Sequence, residues 1–159
     1  LSIHLLESAH ERAYFKEARG PLYDFIAARG PLEHKIKNPL EALDNLGMLH
    51  DKTLLIHMNY ADENDLNLVA KRGCAIVHCP FSHDYFAHDA FPIDAILARN
   101  IPLLLGTDGL SSASTLSMIK VLQRMHEKYP QLNTQQIFNM ASDIYPAEFT
   151  FDSPGMWSA

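Results

Sequence analysis

The chain has 159 residues, 47% of them hydrophobic, with 13 Lys and Arg against 19 Asp and Glu and a formal net charge of -6 at pH 7. That length allows one domain with a real core, and an acidic balance with scattered bases argues against nucleic acid as the main partner. No apolar run reaches the ~18 residues of a membrane span, no signal peptide is visible, and Cys74 and Cys79 are too few for a disulfide framework, which favours a reducing cytoplasm.

The first apolar run, LSIHL at 1–5, is predicted as a strand. Three helical patterns follow. SAHERAYFKEAR (8–19) closes at Gly20-Pro21. PLYDFIAARG (21–30) opens on proline and stops on glycine. NPLEALDNLGML (38–49) has Asn38 as cap and Pro39 in the first turn. TLLIHM (53–58) is the second strand, and DENDLNLVAKRG (62–73) a helix with Leu66, Val69 and Ala70 at helical spacing. CAIVHC (74–79) is the third strand, DAFPIDAILARN (89–100) a helix, and IPLLLGT (101–107) the fourth strand. STLSMIKVLQRMHEKYP (114–130) and NTQQIFNMAS (133–142) complete the helices, and residues 143–159 read as an irregular tail.

The strand runs are nearly continuous in apolar residues, the pattern of strands covered on both faces, and strands alternating with helices imply parallel βα units. The expected fold is therefore α/β, with four parallel βα repeats over residues 1–142. Four units make a half-barrel or a small open sheet, since a complete eight-stranded barrel takes about 250 residues.

In parallel βα folds the reactive residues cluster where strands end. The four strands end near His4, His57, His78 and Asp108. Three imidazoles and a carboxylate on one rim suit Zn(II) or Fe(II) better than Mg(II) or Ca(II). A cation would compensate Asp108, a carboxylate set directly after Leu103-Leu104-Leu105, while Gly106 and Gly109 would let the backbone turn around it. The plainer readings are that such a histidine is a hydrogen-bonded core residue and that Asp108 caps the following helix. Glu7 lies three residues after His4. It can face the same cavity and shuttle a proton, or sit in the first helical turn and favour the dipole. His10, His34, His50 and His126 fall in polar stretches and read as solvated.

Three stretches together resemble the amidohydrolase superfamily in its deaminase and chlorohydrolase branch: HLLESAHER, LIHMNYADENDLNLVAKRGCAIVHCPFSH and LLLGTDGLSS. They resemble the regions of barrel strands five, six to seven, and eight, so the likeness implies the C-terminal half of a TIM-type metal-dependent hydrolase barrel. Within that branch HLLESAHERAYF, GPLYDF and HCPFSHDYFAHDAFP look most like the aminodeoxyfutalosine deaminases, which deaminate a modified adenosine on an alternative route to menaquinone. Adenosine-type and guanine deaminases and triazine chlorohydrolases share the core motifs.

The resemblance implies a divalent metal, zinc in preference to iron, with His4 and Asp108 as ligands. It implies Glu7 as the group that protonates the ring nitrogen, His57 as the histidine that contacts hydroxide and substrate, and Asp108 as general base. Glu7, His57, Ser82 and His83 would face a small-molecule substrate. The chain departs from the pattern in three ways. It has no His-x-His pair, Ala113 stands where relatives often carry Asn, and ASDIYPAEFTF replaces the expected final helix. These departures raise the expectation of a half incomplete for catalysis, acting through self-association, as a homo-oligomer, or with a complementary N-terminal half.

Overall fold

The computed structural model describes residues 1–31 and 35–142. The irregular tail read at 143–159 and His34 lie outside the described residues. Four short strands, β1 (Ser2–Leu5), β2 (Leu54–His57), β3 (Ala75–His78) and β4 (Leu103–Leu105), form one sheet in the order β1-β2-β3-β4. Every neighbouring pair is parallel, as the alternation of strands and helices required.

The connections follow the chemistry of their ends. After β1 come α1 (Ala9–Glu17), α2 (Pro21–Ala27) and α3 (Pro39–Asn45). Ser8 caps α1 by accepting from the Glu11 amide, and Asn38 caps α3 by accepting from the Leu40 and Glu41 amides. After β2, α4 (Glu63–Arg72) opens on a capping box of Asp62 and Asp65 and closes on left-handed Gly73. Between β3 and β4 lie α5 (Pro80–Tyr85) and α6 (Ile93–Ala98), and after β4 come α7 (Met118–Lys128) and α8 (Thr134–Ser142).

Helix α5 has no counterpart among the sequence-predicted elements. Its one signal is Pro80 at the first helical position. Helix α6 is shorter than the pattern at 89–100 suggested, because Pro92 lies at its N-cap and confines the helix to the residues after it. Among the described residues no helix is long and apolar enough to cross a membrane.

The strand registers divide the sheet into two unlike faces. Leu55, Ile76 and Leu103 point one way and are buried with Leu66, Val69, Ile96, Val121 and Met125 in the core under the helices. Leu54, Ile56, Val77 and Leu104 alternate with them and are only partly buried, and Ser2 is exposed. The expectation that both faces are covered thus holds for one face among the described residues and in part for the other.

Candidate active site

The residues of interest stand at the C-terminal ends of the strands, where the backbone is unusual. Leu6, His57, Met58 and Asp108 all have positive φ, at 50°, 75°, 53° and 58°. Non-glycine residues held in that region cost on the order of 1–3 kcal/mol each and collect at functional sites.

The strain at His57 has a visible consequence. In the sheet register His57 pairs with Leu5, and His4 with Ile56. Simple alternation would place His4 and His57 on opposite faces. The left-handed turn at His57 ends the alternation and brings its ring to 5.1 Å, centroid to centroid, from that of His4. Asp108 joins them, and one ligand atom from each of His4, His57 and Asp108 lies within 4.8 Å of the others. Ligands 2.0–2.2 Å from one ion stand at most about 4.4 Å apart, so small side-chain rotations make this donor set fit a single cation. Two imidazoles and one carboxylate suit a borderline metal such as Zn(II) or Fe(II).

His78 does not join the rim. It pairs with Leu105 and keeps to the helix-covered face. There its ring stacks on Phe91 at 3.9 Å, and its Nε2 lies 3.4 Å from the Tyr129 hydroxyl. Without positive φ at its own position it obeys the alternation that His57 breaks. Burial holds it neutral, well below the usual histidine range. For His78 the plainer reading, a core histidine, is the correct one.

His57 is also buried, and burial, with His4 and His88 nearby, pushes it down to about 4 in spite of Asp108. It is a neutral imidazole at neutral pH, the form that ligates a metal or accepts a proton. For Asp108 burial works against ionisation, but Ser112, the Gly109 amide and His57 outweigh it and hold the carboxyl low. Ser112 donates to Asp108 Oδ2 at 2.6 Å. Ser82, buried on α5, has its hydroxyl near enough to help keep Asp108 ionised but completes no hydrogen bond of good geometry. Asp108 caps no helix, since α7 starts only at Met118.

The glycines around Asp108 act otherwise than expected. The turn is made at Asp108 itself. A Cβ on Gly106 would meet Cys79 Sγ at 3.0 Å and Val77 Cγ1 at 3.1 Å, so Gly106 is a close-packing position. Cys79 is pushed up to about 12 by burial and by Asp108 and stays a thiol. Both cysteines are free and buried.

Glu7 precedes the N-cap Ser8 and so stands outside the first turn of α1. Its Oε1 lies 3.6 Å from His57 Nε2. Two residues that the sequence reading passed over hold it there. Glu11 accepts from the Leu6 and Glu7 amides, both at 2.8 Å. Asn59, buried after β2, donates from Nδ2 to the Glu7 carbonyl at 3.0 Å. The Ser-x-x-Glu spacing of Ser8 and Glu11 was the available signal for the first.

His83 lies on α5, buried, with Nδ1 at 3.0 Å from Lys128 Nζ. An ammonium only donates, so Nδ1 accepts and the proton sits on Nε2. Burial and Lys128 push this histidine down to about 4. The ring packs between His78 and His88. His10, His50 and His126 are exposed.

Residues 1–150 match the model of the amidohydrolase family. The chain is 27% identical over 149 residues to a 5-methylthioadenosine/S-adenosylhomocysteine deaminase of Pyrococcus abyssi, covering 89% of this chain and 31% of that protein. It is 29% identical over 151 residues to an aminodeoxyfutalosine deaminase of Deinococcus radiodurans, covering 89% and 36%. This chain therefore spans about a third of the length of these curated relatives. Among solved structures, a zinc-bound adenosine deaminase from Xanthomonas campestris superposes with a TM-score of 0.62 at 28% identity, covering 86% of this chain and 28% of that one. The aminofutalosine deaminase of Helicobacter pylori in complex with methylthio-coformycin gives a TM-score of 0.72 at 22% identity, covering 88% and 35%, a likeness of fold. A matched family model over nearly the whole chain and a parallel βα sheet with polar groups gathered at its strand ends agree: the chain belongs to the amidohydrolase family.

Proposed function

We propose that this chain carries metal-binding and substrate-facing residues of a deaminase of adenosine-type nucleosides, with an aminodeoxyfutalosine-like nucleoside of a menaquinone route as substrate. The reading rests on one observation: His4, His57 and Asp108 offer ligand atoms within 4.8 Å of one another, beside a Glu7 carboxylate 3.6 Å from His57. The deaminase names of the relatives support the substrate class. The four strands correspond in this reading to strands five to eight of a barrel.

His4 and Asp108 would hold the cation, zinc in preference to iron, with His57 in reach as a third donor. A divalent ion there supplies Lewis acidity that brings the pKa of water toward ~7. Asp108, ionised, accepts the proton of the attacking water. Neutral His57 orients that water against the amino-bearing ring carbon. Glu7 would donate its proton to the ring nitrogen, the proton taken up by Asp108 would pass to the departing amine, which leaves as ammonia, and the proton of the added hydroxyl would return to Glu7 as the ring carbonyl forms.

The test is to load the purified chain with Zn(II), supply 5′-deoxyadenosine-type nucleosides and follow ammonia. One zinc per chain is expected, lost on Asp108→Ala. Ammonia release should be slower than the ~10 per second of ordinary enzymes, because no His-x-His pair adds ligands. It should fall by a further 10²-fold or more in Glu7→Gln. A chain that takes up no zinc would overturn this reading.

A second reading has its own support. β1 and β4 are the outer strands of the four-stranded sheet, and the apolar side chains of Leu54, Ile56, Val77 and Leu104 are only partly covered among the described residues. Open edges and an apolar face invite pairing. In this reading the chain is a non-catalytic half-barrel that associates with itself or with a complementary half. Sedimentation velocity over a range of concentrations should then show reversible dimers, and zinc uptake with no nucleoside recognition would favour this reading over the first.

A further inference from the structure

We infer that Ser112, in the loop after β4, is a positioning residue of the metal site: its hydroxyl pins one oxygen of Asp108, so that the carboxylate meets the cation through the other. The inference rests on the deaminase reading above and adds a residue to it. Ser112 Oγ lies 2.6 Å from Asp108 Oδ2, against 3.3 Å from the Gly109 carbonyl. A hydroxyl has one proton to give, and the shorter, charge-assisted bond is the stronger of the two. The proton therefore goes to Asp108.

The loop is folded to make that contact. Asp108 has a φ of 58°, and the Thr107 hydroxyl donates to its carbonyl at 3.1 Å. The Ser112 and Ala113 amides both donate to the Gly109 carbonyl, at 3.1 and 2.9 Å. That turn carries residue 112 back onto Asp108. Ser112 and Ala113 are each 6% exposed, whereas Ser111 and Ser114 on either side are exposed. Burial keeps water from competing for the Ser112 hydroxyl and strengthens its bond to the carboxylate.

The contact matters because Asp108 has two tasks in the deaminase reading. It holds the cation and accepts the proton of the attacking water. A carboxylate free to turn about its Cβ–Cγ bond could set both oxygens on the cation, and the proton would then lack an acceptor. Holding Oδ2 on Ser112 stops that rotation. One oxygen binds the cation, and Oδ2, which accepts from Ser112 through one lone pair, keeps a second for the proton. Hydrogen bonds to ligating carboxylates orient and tune metal sites in this way.

The experiment titrates the purified chain with Co(II) alone and follows the visible absorbance that is lost in Asp108→Ala. Ser112→Ala removes the hydroxyl, Ser112→Thr keeps one, and Ser111→Ala removes an exposed hydroxyl from the same loop. Each chain is also melted without metal. Ser112→Ala is expected to bind Co(II) about ten-fold more weakly, because the carboxylate must then be ordered as the ion binds. At saturation its bands should weaken, as a second carboxylate oxygen raises the coordination number. Ser112→Thr should restore affinity and spectrum, and Ser111→Ala should match the parent. Parent-like affinity and spectrum in Ser112→Ala overturn the inference and leave the deaminase reading intact. Weaker affinity with a parent-like spectrum and a lower melting temperature of the metal-free chain also overturn it, since Ser112 would then serve the loop alone. A parent chain without the Asp108-dependent absorbance overturns the deaminase reading, and this inference falls with it.

Discussion

His78 and His83 are neutral because they are buried, and that neutrality is a stability term. Each is held below its ordinary value by burial, His83 at about 4 and His78 well below the usual histidine range. In the unfolded chain both take up a proton near pH 6.5. Between that pH and about 4 the unfolded state therefore binds more protons than the folded one, and stability falls as the pH falls. At 1.36 kcal/mol per pKa unit, His83 alone accounts for a loss on the order of 2–3 kcal/mol across that window. Urea melts of the metal-free chain at pH 7 and pH 5 should show the lower midpoint at pH 5, and His83→Gln should flatten the difference. Gly106 makes a contrast with Gly109. A methyl at Gly106 has Cys79 and Val77 at 3.0 and 3.1 Å, whereas one at Gly109 meets only Ser111 Oγ at 3.6 Å. Gly106→Ala is expected to lose about 1–3 kcal/mol and Gly109→Ala far less, read from the same melts.

At the scale of elements, the seam between α1 and α4 positions the loop that carries Glu7. Arg12 donates to Asp65 Oδ2 at 2.7 Å and to the Tyr60 carbonyl at 2.6 Å, and pairs with Asp62. Its side chain is 19% exposed and that of Asp65 4%. Lys16 reaches Asp62 at 2.9 Å but is 53% exposed. Both are cations on one helix facing the same carboxylate, and their environments separate their worth. Removing Arg12 leaves the Asp65 charge buried without its counter-ion, which costs about 3–5 kcal/mol. Removing Lys16 breaks a solvated pair worth under about 1 kcal/mol. Thermal denaturation of Arg12→Ala and Lys16→Ala should reproduce that order. Equal losses would mean that the seam is held by the capping box of Asp62 and Asp65 alone.

For the whole molecule, a cation bound by residues from β1, β2 and the turn after β4 would join the first strand of the sheet to the last. Binding to the folded state only raises stability by about 2.7 kcal/mol at a hundred-fold excess over Kd. Zn(II) should raise the melting temperature of the parent chain, and chelation should reverse it. The shift should vanish in His4→Ala and in Asp108→Ala. A shift that survives both substitutions would place the ion on other residues, such as the exposed histidines.

The order of elements was readable without coordinates, since hydrophobic runs and helix caps are local. Continuous apolar strands, Asn38-Pro39, and Gly73 after Lys71-Arg72 each say what the backbone must do within a turn or two. That His4, His57, His78 and Asp108 stand at or beside strand ends was also readable, because in parallel βα units the strand ends share one rim, while Glu7 was singled out by the resemblance. Three matters needed the tertiary structure. His78 looked equivalent to His57, and only the positive φ at His57 separates a rim histidine from a core one. Asn59 and Glu11 were invisible as supports of Glu7, because the first acts across 52 residues and the second through its carboxylate on backbone amides. Ser112 was one of two adjacent serines until its hydroxyl was seen turned onto Asp108. Periodicity and caps report on neighbours in sequence. Side-chain direction at a strained strand end, and contacts between distant segments, exist only once the sheet has formed.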